Sequence, residues 1–284
     1  MPLVNPIEML QAAREGRYCV GAFNIVDYMT MEAVVRAAEA RRAPVIIQTS
    51  SGTIKRFGVP ALVEMARDLA GPSPVPAALH LDHGTDRQVL HEAIEAGYPS
   101  VMIDASKYPF DENVARTKDV VDEAHARGVA VEGEIGVVAG VEDEIVIRQD
   151  KAIYTTPAEA IEFQARTGVD FLAAAIGTAH GFYKVAPRLD IQTLQALRQR
   201  TGFPLVVHGG TGLGFDVVRQ LVAAGASKMN VSTQIKQTYI DSLHDYIEAN
   251  RQEYDILKVL RHAYDKLTEM IAEYVTVLGS EGKA

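Results

Sequence analysis

The chain has 284 residues, 48% of them hydrophobic, and a formal net charge of −9. That length and apolar content can fill the core of one barrel or of two smaller domains. The acidic balance argues against nucleic acid or an anionic membrane as the main partner, because both demand a basic face. An anionic small molecule would then need local positive charge, from side chains or from a metal.

The single cysteine, Cys19, rules out an intramolecular disulfide framework and fits a reducing compartment. The opening Met1-Pro2-Leu3-Val4-Asn5-Pro6 lacks the basic and apolar blocks of a signal peptide. The sequence holds no apolar run near the roughly 18 residues that span a bilayer. A soluble, cytoplasmic protein is expected.

Short β-rich runs alternate with amphipathic stretches along the whole chain, the rhythm of repeated βα units. Strands are expected at Tyr18 to Phe23, Pro44 to Thr49, Ala77 to Asp82, Ser100 to Asp104, Val129 to Glu134, Asp170 to Ile176, Leu205 to His208 and Lys228 to Val231. Helices are expected between them, several stopping at a glycine such as Gly97, Gly128, Gly168, Gly202 or Gly225. Two further helices, near Gln234 to Asn250 and Ile256 to Leu278, follow the last strand. An open doubly wound sheet would carry a glycine-rich first turn, and Asn24-Ile25-Val26-Asp27 has none. The expected fold is therefore α/β, a (β/α)8 TIM barrel with additional C-terminal helices, as a single domain over residues 1–284. The long connection from Gly136 to Thr156 shows no core pattern and reads as a lid or binding loop.

In such barrels the chemistry sits at the C-terminal ends of the strands. Here those ends read His80-Leu81-Asp82-His83-Gly84, Asp104, Glu132-Gly133-Glu134, Gly177-Thr178-Ala179-His180-Gly181, His208-Gly209-Gly210-Thr211-Gly212 and Asn230-Val231-Ser232-Thr233. His83, His180 and His208 come from three different strand ends, and three neutral imidazoles with one open position form a catalytic zinc arrangement. Asp82 beside them is assigned to acid/base work. Asp104, Glu132 and Glu134 add carboxylates to the same mouth, in a role supporting the histidines or as an alternative metal position. The glycine run after His208 frees backbone N–H groups before a helix N-terminus, where Thr211 and Thr233 add hydroxyls and Lys184 adds a cation, a combination suited to phosphate.

Taken together, the five of these stretches other than Asp104 resemble the class II fructose-bisphosphate and tagatose-bisphosphate aldolases, over about residues 1 to 245. The resemblance implies zinc on His83, His180 and His208, with Asp82 as a catalytic proton-transfer group. It implies that Gly181, Lys184, Gly209, Gly210, Thr211, Asn230, Val231, Ser232 and Thr233 hold dihydroxyacetone phosphate and that Ser50 contacts substrate. Glu142 would be the second catalytic group, moving the proton on the dihydroxyacetone phosphate carbon, and Asp104 and Glu134 would hold a displaced or second metal. A monovalent cation (Na+ or K+) near the phosphate and a homodimer or homotetramer are implied as well. Zinc polarisation of the ketone would stabilise the carbanion left by carbon–carbon cleavage, so no Schiff-base lysine is required.

Two departures bear on the substrate. Where the family carries Asp-Pro-Arg before its last helix this chain has Glu253-Tyr254-Asp255-Ile256, and after strand two it has Lys55-Arg56. The basic pair is the candidate for a distal anion, a phosphate or a sulfonate, so deoxy- and sulfo-ketose phosphates are alternative substrates. Two rival readings are a class I aldolase with Lys228 as the imine lysine and a non-catalytic sugar-phosphate-binding barrel.

Overall fold

The computed structural model describes residues 3–142, 145–147, 153–183 and 186–284. In chain order the first elements are α1 (Pro6–Gly16), β1 (Val20–Asn24), α2 (Tyr28–Arg41), β2 (Val45–Thr49), α3 (Ser51–Phe57) and α4 (Val59–Ala70). There follow β3 (Ala77–Gly84), α5 (Arg87–Glu95), β4 (Ser100–Ile103), α6 (Phe110–His125) and β5 (Ala130–Ile135). A hairpin comes next, β6 (Ala139–Glu142) and β7 (Ile145–Ile147), then α7 (Pro157–Thr167), β8 (Phe171–Ala174) and the two-residue β9 (Ala179–His180). The chain continues through α8 (Ile191–Arg200), β10 (Leu205–Val207), α9 (Phe215–Ala224), β11 (Ala226–Val231), α10 (Thr233–Ala249) and α11 (Ile256–Val277).

Eight strands close into a parallel barrel in the order β1-β11-β10-β8-β5-β4-β3-β2. Their near-continuous Val, Ile, Leu and Ala content fits strands covered on both faces, one by helices and one by the barrel interior. Side chains alternate between those faces. Val20 and Ala22, Ile46, Ala78, Ala130, Phe171 and Ala173, and Val206 point inward and pack on Met9, Leu10 and Ala13 of α1, which plugs the N-terminal end. The other parity, with Phe23, Ile47, Leu79, Val101, Val131 and Val207, packs under the helices.

That parity decides what lies above the apolar plug. Two residues beyond Ala22, Ile46, Ala78, Ala130 and Val206 stand Asn24, Gln48, His80, Glu132 and His208, and one further step along β3 and β5 brings Asp82 and Glu134. Lys228 and Asn230 enter the same layer from β11, where Ala22 pairs with Asn230 across the β1 ladder. Every one of these polar residues is buried. The barrel thus has a dry apolar floor and a buried polar storey at the end where βα loops begin.

The eight expected strands are all present, with boundaries shifted by at most two residues. Two helices were not expected. Helix α1 escapes a strand-first reading because it precedes the first βα unit, although Asn5 caps it by accepting a hydrogen bond from the Ile7 amide at 3.0 Å. Helix α3 holds Lys55 and Arg56, which therefore sit on a short helix capped by Ser50.

The connection after β5 also differs from a patternless loop. Its β6 pairs antiparallel with β7 and parallel with β9, giving a three-stranded sheet above the barrel in the order β7-β6-β9. Gly140 makes that sheet possible. It has φ +114°, and a Cβ built on it would stand 2.2 Å from the His180 carbonyl oxygen. Replacement Gly140→Ala is expected to unpair β6 from β9 while sparing the barrel. Hydrogen exchange over 139–142 and 179–180 should rise about 10-fold or more, with a fall of only a few degrees in the melting midpoint. A large collapse in thermal stability without selective exchange would contradict this.

Candidate active site and metal centre

Three histidines meet at the C-terminal mouth of the barrel. His83 ends β3, His180 lies on β9 and His208 follows β10. Their ring centroids are 5.0 Å apart for His83 and His180, 4.7 Å for His83 and His208, and 5.8 Å for His180 and His208. One ring nitrogen from each falls within 4.8 Å of the others. His83 reaches its place with φ +48°, in the left-handed region. For a non-glycine residue that conformation costs roughly 1–2 kcal/mol. It coincides with the register shift between β3 and β4.

Asp82 is buried beside this group and accepts hydrogen bonds at both oxygens. Asn24 Nδ2 donates to Oδ2 at 2.8 Å and Asn230 Nδ2 donates to Oδ1 at 3.0 Å. Gln48 Nε2 in turn donates to Asn24 Oδ1 at 2.8 Å, which leaves the Asn24 amide facing Asp82 with its donor side. His83 Nδ1 is 3.1 Å from Asp82 Oδ1. Burial opposes ionisation of Asp82, but the field and contact of His83, with Lys228 and His208 behind it, outweigh burial and hold its carboxyl well below the usual value.

Beneath the histidines lies Glu132, which has no exposed surface. Its Oε1 is 2.7 Å from His208 Nε2 and its Oε2 accepts from Lys228 Nζ at 2.8 Å. Burial pushes this carboxyl up, yet Lys228 and the His208 hydrogen bond bring it down to about 2. His80 lies on the same storey, its Nδ1 2.7 Å from Ser100 Oγ, and burial together with Lys228 brings it down to about 3. It is therefore a neutral neighbour below the site. Lys228, the alternative imine lysine, is engaged elsewhere in this setting. Its ammonium is wholly buried and donates to Glu132 and, at 2.7 Å, to Asn230 Oδ1.

The donor set suits a divalent metal. Glu134 Oε2 lies 2.9 Å from His208 Nδ1 and 3.7 Å from His83 Nε2, so a carboxylate stands among the histidine nitrogens. Burial pushes His208 down, but Glu132 and Glu134 overcome it and raise the ring to about 9. The mouth thus favours positive charge at His208, and a bound cation would replace a proton there. Three imidazoles with a nearby carboxylate match the ligand types zinc prefers. Asp104, at the end of β4, instead accepts at Oδ1 from the Ser106 amide at 3.1 Å and hydroxyl at 2.7 Å.

The proposed phosphate residues gather between the loops after β10 and β11. Gly209 has φ +72°, and a Cβ there would lie 2.3 Å from the Ala179 carbonyl oxygen, so only glycine lets this loop pass against the strand that carries His180. Tyr183 ties the same two loops together, its hydroxyl accepting from the Ala179 amide at 2.9 Å and donating to the Gly209 carbonyl at 2.8 Å. Gly210 donates its amide to Asn230 at 3.0 Å, and Thr211 Oγ1 accepts from the Gln234 amide in the first turn of α10. Ser232 and Thr233 stand at that helix N-terminus, where backbone N–H groups and the helix dipole favour an anion. Gly181 is half-buried in the loop after His180, and Val231 is buried at the end of β11. Lys184 and the side chain of Glu142 lie outside the described residues.

A separate cleft of about 220 Å³ opens between α3 and α10, lined among others by Asn24, Ser50, Arg56 and Lys236. Of the basic pair it takes Arg56, whereas Lys55 is exposed on α3 and does not line it. Sequence reading missed Asn24, Gln48 and Lys236. The first two were accessible through strand parity, each two residues beyond an inward apolar residue. Lys236 was hidden because only the fold brings α10 to the same cleft as α3.

Comparison with known proteins agrees with this geometry. A sequence profile of the family described as fructose-bisphosphate aldolase class-II matches residues 4–283. A fructose-bisphosphate aldolase of Geobacillus stearothermophilus is 40% identical over 287 residues, 100% of this chain and 99% of that one. Among solved structures the YdjI aldolase from Escherichia coli K12 superimposes with a TM-score of 0.88 at 30% identity over 99% of both chains. A fructose-bisphosphate aldolase from Campylobacter jejuni superimposes with a TM-score of 0.86 at 23% identity, over 100% of this chain and 97% of that one. At that lower identity the likeness speaks for the barrel alone. A profile match across nearly the whole chain and a full-length relative at 40% identity lead to one statement: the chain belongs to the class II fructose-bisphosphate aldolase family and is an aldolase, a carbon–carbon lyase.

Proposed function

We propose that the protein reversibly cleaves a ketose 1,6-bisphosphate, fructose or tagatose, into dihydroxyacetone phosphate and glyceraldehyde 3-phosphate, with zinc held by His83, His180 and His208. The observation that carries this reading is the convergence of three histidine nitrogens within 4.8 Å beside the buried, doubly hydrogen-bonded Asp82. Zinc held there supplies Lewis-acid stabilisation of the charge released when the carbon–carbon bond breaks. Asp104 and Glu134 are the acidic residues available to a displaced or second metal.

The chain's own residues divide the remaining work. Amide donors from Asn24 and Asn230 favour the ionised form of Asp82, the form able to accept the proton of the hydroxyl next to the scissile bond. In the same direction Glu142 returns a proton to the dihydroxyacetone phosphate carbon. Its place on the β6–β7 hairpin, joined to the His180 strand, supports closure over the mouth and exclusion of water. The proximal phosphate is held by Gly181, Lys184, Gly209, Gly210, Thr211, Ser232 and Thr233, with Asn230 and Val231 alongside. Backbone oxygens of the same loops suit a monovalent cation, Na+ or K+.

The distal anion is assigned to the cleft with Ser50, Arg56 and Lys236 rather than to Lys55. A homodimer or homotetramer is supported by the apolar surface left by Ile240, Ile247, Tyr254, Ile256 and Leu257 on and between α10 and α11. No helix among the described residues is long and apolar enough to cross a membrane, and a cytoplasmic location agrees with the single, buried Cys19.

Three outcomes are expected. Chelation should abolish cleavage of both ketose bisphosphates and added zinc should restore it, while borohydride in the presence of substrate should trap no adduct. Glu142→Gln should lower kcat by about 10²-fold or more and slow tritium exchange into dihydroxyacetone phosphate, leaving zinc affinity unaltered; unchanged exchange would remove Glu142 from its role. Arg56→Ala with Lys236→Ala should raise KM for the bisphosphates about 10-fold or more while hardly affecting dihydroxyacetone phosphate binding. A panel including deoxy- and sulfo-ketose phosphates would show whether this cleft prefers phosphate or sulfonate.

A further inference from the structure

Lys228 is a charged side chain with no exposed surface, and the division of work proposed above gives it no part. It lies on β11 two residues before Asn230, so both point into the barrel. An ammonium group only donates hydrogen bonds. Its contacts at 2.8 Å with Glu132 Oε2 and at 2.7 Å with Asn230 Oδ1 therefore dictate which way two other side chains face.

Consider Asn230 first. With its oxygen committed to Lys228, its NH2 group must turn the other way, and there it donates to Asp82 Oδ1 at 3.0 Å. Rotated by half a turn, the amide would set its oxygen against the carboxylate and its NH2 against the ammonium, so that both contacts become repulsive. On the opposite side Lys228 compensates the charge of Glu132, whose second oxygen lies 2.7 Å from His208 Nε2. A carboxylate at that position requires the proton on Nε2, which leaves Nδ1 as the atom turned to the mouth. The other group facing Glu132 is His80, whose Nε2 is 3.5 Å from Oε2.

We propose that Lys228 is a positioning residue that, from one buried charge between β5 and β11, sets both the amide direction of Asn230 against Asp82 and the Nε2 proton of His208. The proton acceptor and one metal ligand are thereby oriented by the same group. The proposal rests on the roles given to Asp82 and His208 above and adds the linkage between them.

A lysine that only neutralised Glu132 would be replaceable by removing both charges, and this separates the two possibilities. In Lys228→Met, kcat should fall about 10²-fold and zinc affinity, read by calorimetry, about 10-fold or more, with KM for the ketose bisphosphate altered less than about three-fold. In the double variant Lys228→Met with Glu132→Gln the stranded charge is gone, so thermal stability should recover while kcat does not, because nothing then fixes Asn230. Recovery of kcat in the double variant, or a folded Lys228→Met with kcat and zinc affinity within two-fold of the parent, would overturn the proposal.

Should neither variant fold, nitrogen-15 spectra of the zinc-loaded parent decide. The Lys228 ammonium and the His208 Nε2 proton are expected as slowly exchanging signals, and exchange as fast as for exposed groups would refute the assignment. A parent protein that neither binds zinc nor cleaves ketose bisphosphates would sink the proposed function instead, which keeps the two failures apart.

Discussion

A carboxylate taken wholly out of water is tolerable only where charges and hydrogen bonds replace its hydration, and Glu132 meets that condition from two sides. Lys228 supplies the opposite charge and His208 a hydrogen-bonding ring nitrogen, with the neutral His80 alongside. Removing Lys228 would leave an uncompensated charge in the barrel interior. The polar storey is consequently a connected unit. Asp82 hangs from Asn24 and Asn230, Asn24 from Gln48, and Asn230 from Lys228, so with Glu132 and His208 seven side chains from five strands and the turn after β10 fix one another.

Barrel closure makes such a unit affordable. Each strand contributes inward residues at the same height because neighbouring parallel strands are held in register, as with Asn24 opposite Gln48 and Gln48 opposite His80. The apolar floor below, packed on α1, keeps water from entering at the far end. Above the storey the construction changes. Asp82, His83 and His208 stand on or directly after barrel strands, whereas His180 is carried by β9 within the sheet that contains the Glu142 hairpin. The buried Asp82 and two histidines on the barrel thus face a third histidine whose strand belongs to the covering layer, a division suited to a site that closes over what it binds.

Much of this was readable from the chain because it depends on short-range regularities. Strand alternation and strand-end chemistry suffice to place His83, His180, His208 and Asp82 together, since each follows an apolar run and the barrel brings all such ends to one rim. The same logic would have found Asn24 and Gln48, which were passed over because a single amide two residues past an alanine or isoleucine carries no chemical signature of its own. What stayed hidden was set by packing between distant elements. Lys236 reaches the cleft only because the fold brings α10 to it, and Arg56 lines that cleft where its neighbour Lys55 on the same short helix does not. The β6–β7 hairpin was read as patternless because its pairing partner is a two-residue strand near His180, too short to register as periodicity.

The two ends of the proposed substrate groove are built differently, and this has a consequence for specificity. The proximal end uses glycine backbone, threonine and serine hydroxyls and the N-terminus of α10, with Gly209 pressed against Ala179 so closely that no other residue fits. Such a site is tied to the path of the main chain and admits little variation without moving a histidine. The distal end rests on the long side chains of Arg56 and Lys236 over a cleft open to solvent, with Ser50 at a helix cap. Long flexible cations hold an anion without prescribing its geometry as a backbone cradle does. Substrate choice in this chain should therefore be governed at the distal end, where a substitution changes which anion is accepted, while the proximal phosphate and the cleavage chemistry stay bound to the architecture of the barrel itself.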